Sequence, residues 1–215
     1  MESTQTITIT RIFPNVGEHP TNAVSDFQSE FACIMHGASL SYGYVAAALA
    51  ADTAVWGYKE IRKRHCYWID KKALLTRIIR TTNISLWQKR KEKIYSKGLV
   101  VDGVCCIIGQ KTAWIGCFGD ASVVEIRKNQ EQRLMGIVAD MEYEAMPKLG
   151  SDRYALTFAS ATFPFTSGDT LLFAVGSLAS LPREEIVSFL NESKKAVLPS
   201  TTGSVLLLQN GCYSK

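Results

Sequence analysis

Nothing in the 215 residues approaches the ~18 consecutive apolar residues that a membrane-spanning helix needs. The start of the chain, Met1-Glu2-Ser3-Thr4, lacks the basic-then-apolar order of a secretory signal. Together these lead us to expect a cytoplasmic protein without a membrane span. The six cysteines, Cys33, Cys66, Cys105, Cys106, Cys117 and Cys212, show no C-x-x-C spacing, and most lie in apolar runs, as buried reduced thiols do. Cys105-Cys106 has no adjacent base and no helix N-terminus, which argues against a nucleophile or redox pair. The three histidines, His19, His36 and His65, have no zinc-like spacing. There is no internal repeat, low-complexity tract or linker, so residues 1–215 read as a single domain.

What is present is ordinary globular material, with 47% hydrophobic and 20% charged residues, enough for one sizeable core. The net charge of +4 is unevenly placed. From Lys59 to Lys97 thirteen Lys/Arg face three acids, a net of +10, which leaves −6 for the rest of the chain. The candidate basic patch is Arg62, Lys63, Arg64, Lys71, Lys72, Lys89, Arg90, Lys91 and Lys93. Such a cluster is either the solvated side of two helices or a surface for an anionic partner. No nucleic-acid module accompanies it, so nucleic acid is not the expected partner.

Residues 5–12 alternate polar and β-branched side chains, the pattern of a half-buried strand. A turn-rich stretch with Pro14, Gly17, Pro20 and Asn22 follows, and Phe31–Met35 reads as a buried strand ending at Gly37. A helix is expected from Ser39 or Ser41 to about Arg64, with Val45, Leu49 and Trp56 on one side and Ala46 and Ala50 beside them. A second is expected from Asp70, carrying Leu74, Leu75, Ile78, Ile79 and Leu86, and closing at Gly98. Short strands are then expected at 100–108, 113–118, 123–127, 133–138, 154–158, 170–175 and 204–209, with a third helix at 183–192 behind Pro182. Gly168-Asp169 reads as a hairpin turn. The element order is not the alternation of a parallel α/β sheet. It indicates an α+β fold in which two antiparallel β-sheets pack as a sandwich flanked by α-helices. The first two helices are expected on one outer face and the third on the other.

Four segments, in order, resemble motifs of the metal-dependent (type 2C) protein phosphatases. Phe31-Ala-Cys-Ile-Met-His36-Gly37 ahead of an alanine-rich helix resembles the strand ending in Asp-Gly-x-Gly-Gly. Trp114-Ile-Gly-Cys-Phe-Gly119-Asp120-Ala121-Ser122 resembles the strand and turn of Gly-Asp-Ser-Arg. Ser167-Gly168-Asp169-Thr170-Leu171-Leu172-Phe173-Ala174-Val175-Gly176-Ser177-Leu178 resembles Gly-Asp-x-Leu-Leu-Leu-x-Ser-Asp-Gly-Leu. Thr201-Thr202-Gly203-Ser204-Val205-Leu206-Leu207-Leu208 resembles the terminal Asp-Asn-x-Thr-Val-x-Val strand. The resemblance runs from about residue 7 to 209.

The resemblance implies a two-sheet sandwich and, in active relatives, two Mg²⁺ or Mn²⁺ ions holding a nucleophilic water. Such a pair needs several carboxylates to offset four positive charges. Here the matching aspartate positions carry His36, Gly176 and Thr201. The early acidic pair is matched by Ala23 and Val24 after Asn22, with Asp26 nearby. Asp120 alone remains, and it reads equally well as a turn residue. The vestigial cleft positions are therefore His36, Gly37, Asp120, Gly176 and Thr201. The stretch 129–165, where relatives carry a flap, leaves room for two strands and a modest loop. The expected function is a catalytically inactive, protein-binding or regulatory domain with no cofactor. The alternative is an active serine/threonine phosphatase using Mg or Mn through atypical ligands. A protein partner is expected, and a homo-oligomer is left open.

Overall fold

The computed structural model describes residues 5–12, 22–28, 30–39, 41–65, 69–95, 98–127, 130–136, 146–153, 157–182, 185 and 204–212. The alternating N-terminal segment forms β1 (Gln5–Ile12), and β2 (Asn22–Phe27) and β3 (Phe31–Gly37) follow. Two long helices come next, α1 (Gly43–His65) and α2 (Lys71–Arg90). Then come β4 (Val101–Ile108), β5 (Thr112–Phe118), β6 (Ala121–Arg127), β7 (Gln130–Gly136), β8 (Ala159–Pro164), β9 (Thr170–Val175) and β10 (Ser204–Cys212).

The strands make two five-stranded sheets, ordered β1-β10-β9-β6-β7 and β2-β3-β4-β5-β8, with every pairing antiparallel. Side chains alternate across a strand. On β3 and β4, Ile34, Val104 and Cys106 therefore enter the core between the sheets, where they meet Val123, Phe173 and Leu206. Phe31, Cys33, Met35, Cys105 and Ile107 point the other way, into a second core beneath the helices. Both faces of these strands are covered, which is why their sequences read as continuous apolar runs. Cys33, Cys105, Cys106 and Cys117 are free, buried thiols, and burial pushes the last up to about 12.

α2 begins where Asp70 accepts a hydrogen bond from the Ala73 amide at 2.9 Å. Its expected apolar residues, Leu74, Leu75, Ile78, Ile79 and Leu86, are all buried. α1 keeps its expected side at Ala46 and Ala50, which are buried, and at Val45 and Leu49, which pack against the core, and departs from it at Trp56. Ala46, Ala47, Ala50, Ala51 and Ala54, with Tyr58, pack on the sheet, whereas Trp56 points out. Small side chains over most of this face let the helix lie close to the strands.

Three further expectations are corrected. β2 lies in what read as turn-rich chain. Of the strand expected at 154–158, only Thr157 and Phe158 are among the described residues and they are not strand, whereas β8 follows directly after them. The second helix ends at Arg90, and a short 3-10 turn at Lys93–Tyr95 precedes Gly98. Of the helix expected at 183–192, only Glu185 is among the described residues. Among those residues no helix is long and apolar enough to cross a membrane.

Candidate functional site

The antiparallel register gathers the cleft positions at one end of the sandwich. His36 faces Asp102 across β3–β4, Asp120 forms the turn between β5 and β6, and Gly176 leaves β9 beside it. The Gly176 amide donates to the Asp120 carbonyl at 2.9 Å. Gly37 ends β3 next to Gly43, where α1 starts. Asn22 pairs with His36, so the positions matching the early acidic pair also reach this end. Asp26 pairs instead with Ala32, four residues along β3, roughly 13 Å from His36 at a strand's rise. It cannot stand in for that pair. Thr201 and His19 lie outside the described residues.

Gly119 and Gly176 have φ of 62° and 66°, backbone conformations in which a side chain is strained. A Cβ on Gly119 would stand 2.0 Å from the Asp102 carboxylate. Glycine there lets Asp102 fit beneath the turn. At 176 the same backbone constraint explains glycine without reference to chemistry.

Sequence reasoning missed the two residues that organise this end. Asp102 opens β4, with its side chain 2% exposed. It accepts from the Asp120 amide at 3.0 Å and from Lys148 Nζ at 2.7 Å. Lys148 arrives from the segment before Leu149 and also donates to Asp120 Oδ2 at 2.5 Å. One ammonium thus bridges the two carboxylates. The segment carrying it is held firmly: Val101 and Leu149 exchange backbone hydrogen bonds, Asn83 Oδ1 accepts from the Gly150 amide, and Arg90 donates to the Gly150 and Ser151 carbonyls.

The electrostatics follow the burial. Desolvation raises the pKa of Asp102 against the pull of Lys148. Desolvation would lower that of Lys148, but its hydrogen bonds to Asp102 and Asp120 raise it above the ordinary lysine value and hold it as ammonium. His36 is pushed down to about 4, first by burial and then by the Lys148 charge, with Asp120 opposing. The imidazole is neutral at pH 7. Among the described residues no three His, Cys, Asp or Glu stand together as a metal would require. The two carboxylates that do meet are already bonded to Lys148, a donor set that fits an ammonium and not a pair of divalent cations.

The basic segment divides. Lys63, Arg64, Lys72, Lys91 and Lys93 are exposed. Arg62 pairs with Glu30, Lys89 with Glu92 at 2.8 Å, and Arg90 is spent on the Lys148 segment. Lys71 is half-buried, and Lys91 lies 4.0 Å over the Trp87 ring. The helical layer is therefore basic, but not uniformly free.

No family sequence model and no curated protein matches the chain. Solved structures do. The catalytic domain of the serine/threonine phosphatase PstP, in complex with two manganese ions, superposes with a TM-score of 0.73 at 11% identity, covering 96% of this chain and 98% of its own. The PPM phosphatase MsPP from Mycobacterium smegmatis gives 0.71 at 14% identity, with coverages of 96% and 98%. PppA from Pseudomonas aeruginosa, a regulatory component of its type VI secretion system, gives 0.68 at 12% identity, with coverages of 97% and 98%. The two sheets, their antiparallel order and the paired helices are those of the metal-dependent (PPM, type 2C) serine/threonine protein phosphatases, and the chain has that fold.

Proposed function

We propose that the chain is a catalytically inactive phosphatase-like domain that works as a protein-binding or regulatory module. The observation that carries this reading is the Lys148 ammonium between Asp102 and Asp120. The resemblance puts metal-ligand aspartates at this end of the sandwich, where the chain has His36 and Gly176. The positive charge that the remaining carboxylates attract is supplied from within the chain. An ammonium offers one charge and three donors. It cannot bind and acidify a water as a divalent cation does, nor spread several charges over a transferring phosphoryl group. A regulatory role has a parallel in PppA, described as a regulatory component of a secretion system.

The test is a phosphatase assay of the purified chain with millimolar Mn²⁺ or Mg²⁺, on a generic phosphoester and on a phosphopeptide, beside calorimetry for metal binding. The expected result is no turnover above blank and no heat of binding, with His36→Asp alone restoring neither. Metal-dependent turnover that Asp120→Ala abolishes would overturn the proposal and establish the active reading.

A further inference from the structure

A helix packed on a sheet ordinarily buries its large apolar side chains and shows water its polar ones. The α1–α2 layer does not follow this. Among the described residues the exposed large apolar side chains are Tyr44, Trp56, Ile84 and Ile94. All four lie on α1, on α2 or in the turn after α2, and none on a strand. Trp56 is 57% exposed and Ile84 38%. The alanine face of α1 explains how Trp56 comes to be outside; it does not explain why that residue is large.

Trp56 stands between two hollows on the outer seam of the helices. On one side it shares a hollow with Ile84, and Asp52 and Gln88 lie at the far end. On the other it shares one with Ile61, and Arg64 and Arg77 lie at the far end. Joined through Trp56, the hollows form a groove from position 52 to position 64 of α1, about 18 Å at a helix's rise. The groove is apolar in the middle and opposite in charge at its ends. Glu60, at the basic end, is engaged by Lys63 at 2.9 Å and so does not cancel both arginines. Arg64 and Arg77 are both exposed. Tryptophan and arginine are the side chains that most often dominate binding energy at protein interfaces.

We infer that this groove docks a polypeptide segment of a partner protein, with an apolar side chain against Trp56 and Ile84 and carboxylates on Arg64 and Arg77. The opposed end charges fix its direction: the acidic end of the segment lies at the C-terminal end of α1, away from Asp52. This names a surface for the protein-binding role proposed above, and it does not require the cleft to be inactive.

Two short, fluorescently labelled synthetic peptides test it, alike in a central pair of leucines, one ending in glutamates and the other in lysines. With the full chain, anisotropy is expected to show the glutamate peptide binding about tenfold or more tightly than the lysine peptide. Trp56→Ala should weaken the glutamate peptide by about tenfold or more while leaving the melting temperature nearly unchanged, since the ring is mostly exposed. The double variant Arg64→Glu, Arg77→Glu should reverse the order of the two peptides. Equal affinities, no binding, or binding indifferent to these variants would overturn the inference. Self-association of the chain that Trp56→Ala abolishes, without peptide binding, would assign the groove to a second copy and overturn the stated occupant. Phosphatase turnover would sink the inactive cleft and leave the groove standing, while failed peptide binding would do the reverse.

Discussion

Both ends of the sandwich place one basic side chain between two acids. At the cleft end Lys148 bridges Asp102 and Asp120. At the other end, where β6 finishes and β9 begins, Arg127 donates to Glu125 at 2.7 Å and to Asp169 at 3.0 Å. Arg127 also reaches the Pro164 carbonyl of the opposite sheet. At the far end only the guanidinium reaches water, the Glu125 and Asp169 side chains being 10% and 5% exposed. Burial opposes the charge on Asp169, but the Thr166 amide and hydroxyl and the Arg127 guanidinium together hold its pKa below the ordinary carboxylate value. Its ionised form therefore favours the fold. Glu125 beside it is raised by burial against the same guanidinium, and at the cleft end burial likewise outweighs the partners of Asp102 and raises its pKa. Besides its cation, the most buried acid accepts from the Thr166 amide and hydroxyl at the far end but from a single amide at the cleft end, and that difference in partners decides whether ionisation favours the fold.

The largest expected effect is at Lys148. Lys148→Met leaves Asp102 buried beside Asp120 with no cation, and breaking such a pair costs roughly 3–5 kcal/mol. The lower part of that range is expected, since the lysine side chain is 32% exposed. Denaturant unfolding measures it. Adding Asp102→Asn to that variant should recover much of the loss, and no recovery would mean that Lys148 matters for packing and not for charge.

The next effect is a pH slope confined to the cleft. The folded pKa of His36, about 4, lies below the ordinary 6.5, so the unfolded chain binds this proton first. The contribution of neutral His36 is fully present above pH 6.5 and is lost as pH falls from 6.5 towards 4, by about 2–3 kcal/mol. Stability measured across that window should lose this part of its slope in His36→Gln. An unchanged slope would place the titrating group elsewhere.

The smallest effect is at the far end. Arg127→Met should cost less, roughly 1–2 kcal/mol, because the Thr166 amide and hydroxyl still hold the Asp169 carboxylate that loses its cation. A loss equal to that of Lys148→Met would erase the distinction between the two ends.

Most of the sandwich was legible because its central strands are covered on both faces and its helices keep a helical period. β8 was not: Ala159–Pro164 is an edge strand with few apolar residues, while the neighbouring 154–158 is richer in them. β2 was hidden by its turn-forming neighbours. The cleft positions His36, Gly37, Asp120 and Gly176 converge as the motif order implies. Asp102 and Lys148 were invisible for different reasons. Asp102 is a single acid at the head of the apolar run Val104–Ile108, and a lone charge among strand residues was its only signal. Lys148 sits in no motif, and its partners lie 46 and 28 residues away in the chain. Only the folded register brings them together.

The segment from Lys148 to Arg153 has almost no repetitive structure, yet its backbone is fastened on both sides. β4 takes Leu149, Asn83 accepts from the Gly150 amide and donates to the Asp152 carbonyl, and Arg90 takes the carbonyls between. A loop tied in this way opens only when its anchors do. The Leu149 and Gly150 amides are therefore expected to open together with the C-terminal half of α2 and the start of β4, and hydrogen exchange at a common rate would show it.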